Sequence, residues 1–140
     1  MWMIYAAGSA VAAALVSIFG KIGLRGVDPT SATIVRGVVM GGLLLLAGVV
    51  LGKFQSVGAD GWNARAWMFI VLSALAGAAS WLLYFTALRI GPAGAVAVID
   101  KMSVVLIIII AAVLFGEAFT FRSVLGVVLT IIGAILIVFK

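Results

Sequence analysis

Charged residues cut this chain into five long apolar runs. An α-helix rises about 1.5 Å per residue, so about 20 apolar residues cross the hydrocarbon core of a bilayer, and the spacing of the charges measures membrane spans. The first run covers 2–20 and stops at Lys21. The second covers 30–52, after an Asp28-Pro29 pair in which the aspartate suits an N-cap and the proline suits the first helical position. The third fills 66–88 and is closed by Arg89 and a Gly91-Pro92 breaker. The fourth covers 92–115. The fifth, 123–139, lies between Arg122 and Lys140 and is just long enough to span if those basic chains reach outward. Residues 53–65 form the largest loop, with Trp62 and Trp67 placed for an aromatic belt. The first run has no basic segment ahead of it and no cleavage signal with a soluble domain behind it, so it reads as a span and not as a signal peptide.

The run from Val104 to Ile110 has strand-like composition, but a lone strand in lipid would leave its backbone polar groups unpaired, and helix wins on energy. No alternation of apolar and polar residues supports a barrel. The expected fold class is an all-α integral membrane protein with five transmembrane helices in one domain, 1–140. Composition agrees: the chain is 66% hydrophobic and 9% charged, too little polar matter to coat a soluble globule. Cys and His are both absent, which removes disulfides, thiolate chemistry and the usual zinc or iron sites. No nucleophile–base pair and no phosphate-cradling glycine loop is present, so neither an enzyme nor a bound cofactor is expected. The net charge is +5, but the basic residues stand singly between apolar runs. They fit interfacial anchors, and the expected surroundings are a lipid bilayer, without nucleic acid.

Ionisable residues inside a span cost at least ~2.5 kcal/mol, so they persist chiefly where they face a cavity, a partner or a substrate path. Asp100 and Lys101 sit near the middle of the fourth run and are the strongest such signal. Consecutive helical residues point about 100° apart, so each is expected to seek a partner on another helix, with Arg36 the candidate for Asp100. Ser103 lies near Asp100 on the adjoining face. Trp81, Tyr84 and Phe85 share one face of the third run and can line a substrate pocket or simply pack as aromatics. The alternatives for the charges are a buried polar network that fixes register for Asp100 and Lys101, and a side chain reaching to the headgroups for Arg36. Arg36 and Lys101 against Asp100 leave a net positive interior, which favours an anionic or zwitterionic solute.

Several stretches are similar to the EamA-type domain of the drug/metabolite transporter superfamily. They are Phe-Gly-Lys-Ile-Gly-Leu at 19–24 with Val-Asp-Pro at 27–29, Arg36 in the next helix, Ala-Leu-Arg-Ile-Gly-Pro-Ala at 87–93, Leu-Phe-Gly-Glu at 114–117, and Leu-Gly-Val-Val-Leu-Thr-Ile-Ile-Gly-Ala-Ile-Leu-Ile at 125–137. The resemblance covers essentially the whole chain. It implies one half of a ten-helix inverted-repeat transporter architecture, because most relatives carry two such units per chain; a dimer is therefore implied. The related small multidrug resistance proteins use an acidic residue in the first helix to export cations, and residues 2–20 contain no Asp or Glu. Glu117 matches the family's Gly-Glu and is expected to serve a turn or cap.

Counted by side, Lys53, Arg65 and Arg122 face Lys21, Arg25, Arg89 and Lys140, with Arg36 deeper on the second side. The larger group would be cytoplasmic. So small a difference also fits insertion in both orientations, with an antiparallel homodimer recreating the inverted repeat. Small residues at Gly37, Gly41 and Gly42, at Ser73, Gly77 and Ala78, and at Gly126, Thr130 and Ala134 allow close packing within a subunit or between two. The expected function is transport of a small anionic or zwitterionic metabolite by alternating access as a dimer, with Asp100, Lys101, Arg36, Ser103, Trp81 and Tyr84 binding solute or a coupling proton. The rival readings are a flippase for an anionic lipid-linked group and a non-transporting structural subunit.

Overall fold

A computed structural model describes every residue except 59–61, 117, 119 and 140, so the expected roles of Glu117 and Lys140 lie outside the described residues. All regular elements described are helical. They are α1 (Trp2–Gly23), α2 (Pro29–Val50), a 3-10 turn (Lys53–Ser56), α3 (Ala64–Ile90), α4 (Ala93–Asp100), α5 (Ser103–Phe115) and α6 (Phe121–Val138). α4 and α5 together make one apolar stretch, Ala93–Phe115, so five stretches are long and apolar enough to cross a membrane.

The helix ends follow from local chemistry. Gly26 takes a left-handed φ of 74° in the turn before α2. Asp28 then caps that helix, its carboxylate accepting from the Ser31 amide at 2.8 Å, and Pro29 occupies the first turn. At the start of α3 the Asn63 side chain accepts from the Ala66 amide at 2.9 Å. Gly116, at φ 66°, ends α5, and Thr120 caps α6 by accepting from the Ser123 amide at 3.2 Å. Hydroxyls inside the helices bond their own backbone: Ser17 donates to Ala13, Thr33 to Pro29, Thr86 to Leu82 and Thr130 to Gly126.

The Ser31 amide holds the Asp28 carboxyl below the usual carboxylate value of 3.8, with a smaller pull from Arg89 in the same direction and desolvation opposing both. A carboxyl with a lowered folded-state pKa stabilises the fold fully above its unfolded pKa and loses that contribution as pH falls. Asp28→Asn keeps a capping oxygen but no charge. The wild type is therefore expected to melt at a higher temperature than Asp28→Asn at neutral pH, the gap closing as pH drops below about 4. A gap that persists at low pH would show that the charge adds nothing to the cap.

The chain divides into two compact units. One contains Met1–Lys21 and Ile90–Lys140, the other Ile22–Arg89. In the first, α4 lies against α6, and the better-covered face of α6 carries Ser123, Val127, Ile131, Ala134 and Val138 at three- and four-residue steps. Of the small residues expected to pack, Ala134 is buried on this face while Gly126 and Thr130 stay exposed. Lys21 donates to the Gly91 carbonyl at 2.8 Å, tying the end of α1 to the turn before α4. In the second unit the buried side chains are Leu24, Pro29, Thr33, Phe85 and Leu88.

The fourth span departs from the single helix expected over 92–115. The Lys101 amide still donates to Ala97 at 3.2 Å, and from there the hydrogen bonds tighten from a four-residue to a three-residue step: Met102 donates to Ile99, Val104 to Lys101 and Val105 to Met102, at 2.9–3.0 Å, before Leu106 returns to Met102 at 3.5 Å. Lys101 has ψ −9°, toward the 3-10 region. The residues that follow are rich in β-branched Val and Ile, which lose rotamer freedom in a helix and hold it less firmly than Leu or Ala would.

Candidate functional site

Two groups of polar or aromatic side chains lie within the spans. The first stands where the fourth span is interrupted. Asp100 ends α4, Lys101 lies in the tightened turn, and Ser103 opens α5 and is exposed. Lys101 Nζ lies 3.4 Å from Asp100 Oδ2. This overturns the expectation that neighbours in sequence cannot meet and must each find a partner on another helix. That expectation weighed only the roughly 100° between neighbouring side-chain directions; the four-carbon lysine stem is long and flexible enough to bring its Nζ back to the preceding carboxylate. The pair is also open: the lysine side chain is 61% exposed and the aspartate 36%. Counted from Ala93, the two residues lie about 11–12 Å into a span of 23 residues, a third of the way along and not at its centre.

The second group is built on α2 and α3. Arg36 is seven residues from the start of α2, about 10 Å in. Its guanidinium carbon lies 4.3 Å from the centre of the Trp81 ring and 5.1 Å from that of Phe85. Trp81 and Phe85 are four residues apart, so both rings fall on the face of α3 that meets the arginine. Tyr84 stands edge-on to Phe85 with ring centres 6.0 Å apart and contributes to the cluster through that ring. Arg36 thus turns inward onto two aromatic faces instead of outward to the headgroups. For a half-buried arginine, contacts of this kind contribute about 0.5–2 kcal/mol. They satisfy the face of the guanidinium, while the buried Nη1 atom has no hydrogen-bond partner among the described residues.

A family model described as the EamA-like transporter family matches residues 1–139. The chain belongs to this family. It is also similar to an uncharacterized transporter in the cobO 3' region of Sinorhizobium sp, with 38% identity over 136 residues, covering 97% of this chain and 95% of that protein. No solved structure matches. The membership and the five apolar spans make this a multi-pass protein of the cell membrane, in a family of transporters.

Within this EamA-like chain the sequence found most of both groups. Asp100, Lys101 and Arg36 announce themselves as charges inside apolar runs. Phe85 carries more than its sequence neighbours suggest: it takes the arginine's charge, whereas Tyr84 supports it from the side. Spacing alone does not separate the two, because residues 84 and 85 both lie one turn from Trp81; the contact with Arg36 does. Among the described residues no cluster of three or more His, Cys, Asp or Glu side chains can hold a metal ion. What the two groups offer is charge recognition: a cation–anion pair open to a polar solute, and a positive charge steadied by π faces with an unused donor.

Proposed function

We propose that this protein carries a small anionic or zwitterionic metabolite across the membrane by alternating access, working as a dimer and not as a catalyst. The observation that supports it most strongly is the open Asp100–Lys101 pair at the interruption of the fourth span. An ion pair has no reason to stand exposed within a hydrocarbon-spanning segment unless water, cargo or a second subunit reaches it. Interrupted helices are a recurring way of bringing backbone and charged groups to a solute inside a membrane.

A dimer supplies the missing cover. Few side chains in any span are buried within the chain, and the small face of Gly126 and Thr130 is left exposed. Because successive spans alternate direction, the loops from which the depths of Arg36, Asp100 and Lys101 are counted lie on one side of the membrane. An antiparallel second copy presents the same groups at the same depth from the other side, a symmetry that recurs in alternating-access carriers.

The test is reconstitution into proteoliposomes with a panel of labelled solutes. Uptake of amino acids or small carboxylates, and none of a lipophilic cation such as tetraphenylphosphonium, is the expected result; cation uptake alone would overturn the substrate class. The native chain has no cysteine, so in the same vesicles a cysteine at Ser56 reports orientation. Labelling from both sides is expected, and labelling from one side only would overturn the antiparallel arrangement.

A further inference from the structure

We propose that an open hollow at the far end of α2 from Asp28 binds one acyl chain of an anionic phospholipid, with Lys53 holding its phosphate. The hollow measures about 510 Å³ and is lined by Gly41, Leu44, Leu45 and Gly48 of α2 and by Lys53, Phe54 and Val57 of the following turn. Its shape comes from three local features. Gly52, at φ 62°, ends α2 and lets the 3-10 turn fold back on it. The missing side chain at Gly48 admits the Phe54 ring, for a Cβ there would come within 2.8 Å of it. At Gly41 a Cβ would meet nothing within 4 Å, so the floor of the hollow is open there.

The polarity of the hollow selects its occupant. From Gly48 to Gly41 it runs about 10 Å along α2 into the hydrocarbon region. Lys53, its one charged residue, stands at the end where α2 leaves the membrane. Apolar length pointing inward with a cation at the interface is the arrangement of a lipid lying in its own leaflet. A zwitterionic lipid carries the same phosphate, but its own headgroup cation offsets that charge, so it gains less from Lys53 than an anionic lipid does. The described carboxylates are engaged elsewhere, Asp28 with the Ser31 amide and Asp100 with Lys101, so neither offsets the charge of Lys53. A cation at an anionic membrane surface favours anionic headgroups about fivefold. This inference does not rest on the transport reading.

Native mass spectrometry of the purified full-length protein in detergent, with phosphatidylglycerol and phosphatidylcholine of the same chains added in equal amounts, tests it. Phosphatidylglycerol is expected to be retained about fivefold over phosphatidylcholine. Lys53→Gln should bring the two close to parity, and Gly41→Leu, which fills the floor, should lower retention of both. Gly41→Ala provides a graded version should the larger residue disturb helicity measured by circular dichroism. Equal retention by the wild type, or a preference that survives Lys53→Gln, would overturn the headgroup assignment. Retention unchanged by both Gly41 variants would place the lipid outside the hollow. Dissociation of a dimer by the Gly41 variants without lipid loss would give the hollow to a second copy of the chain, and also overturns the proposal.

Discussion

Replacing Lys101 with Met is expected to lower solute uptake by proteoliposomes about 10- to 100-fold while the protein remains folded and associated. The size follows from the 1.5–3 kcal/mol that a charge-assisted hydrogen bond typically contributes, each 1.4 kcal/mol being tenfold. Methionine keeps the length and apolar stem of lysine, and the lysine side chain is largely exposed, so the change leaves no cavity. Asp100→Asn is expected to reduce uptake similarly. The informative variant is the double one, Asp100→Asn with Lys101→Gln. A pair that merely fixes helix geometry loses more when one partner is removed than when both are, because a single removal strands a charge. If the double variant regains the uptake lost by either single one, the pair is structural and the site proposed here is wrong. If the double variant stays as inactive as the singles, the charges serve the solute. Lys101→Met with unchanged uptake would defeat the assignment outright.

The spans were legible because lipid makes them so. In a solvent that cannot bond a free amide, apolar length and charge spacing leave few alternatives, and five runs became five helical spans. Punctuation was legible for the same local reasons: Asp28 with Pro29 opens α2, and Gly91-Pro92 separates α3 from α4. What periodicity did not show is the interruption after Asp100. A strip of apolar residues looks alike whether its hydrogen bonds step by four or by three, and no Pro or Gly marks the change. The pairing of Asp100 with its neighbour is likewise invisible to periodicity, which gives the directions of successive side chains but not the reach of a flexible lysine stem. Arg36 was legible as a charge in lipid but not as a cation on Trp81 and Phe85, because that contact joins two helices and depends on their relative rotation. Within the chain the better-covered face of α6 runs through Val127, Ile131 and Ala134, while Gly126 and Thr130 stay exposed: small residues permit close approach, within a subunit or between two, but do not by themselves say which.

Arg36 yields the second large effect, and its variants separate holding the fold from holding the solute. Arg36→Met keeps a long side chain that can lie on Trp81 and Phe85, with sulfur–aromatic contact replacing part of the cation–π attraction. It also removes a buried donor that has no partner, which relieves a penalty of about 1–3 kcal/mol. Thermal stability in detergent is therefore expected to change little or to rise, while uptake of the anionic or zwitterionic solute falls about tenfold or more. Arg36→Lys retains the charge but not the planar fork that pairs with a carboxylate, so it should recover only part of the uptake, mainly through a raised half-saturating concentration. Trp81→Phe keeps a ring beneath the guanidinium and should be mild, whereas Trp81→Leu should weaken uptake by leaving the charge unsupported. A wholly structural arginine predicts the reverse order: Arg36→Met would lower the melting temperature sharply, and whatever protein remained folded would transport normally. Stability kept by Arg36→Met together with flux lost would leave solute as the purpose of this inward-facing cation and its spare N–H.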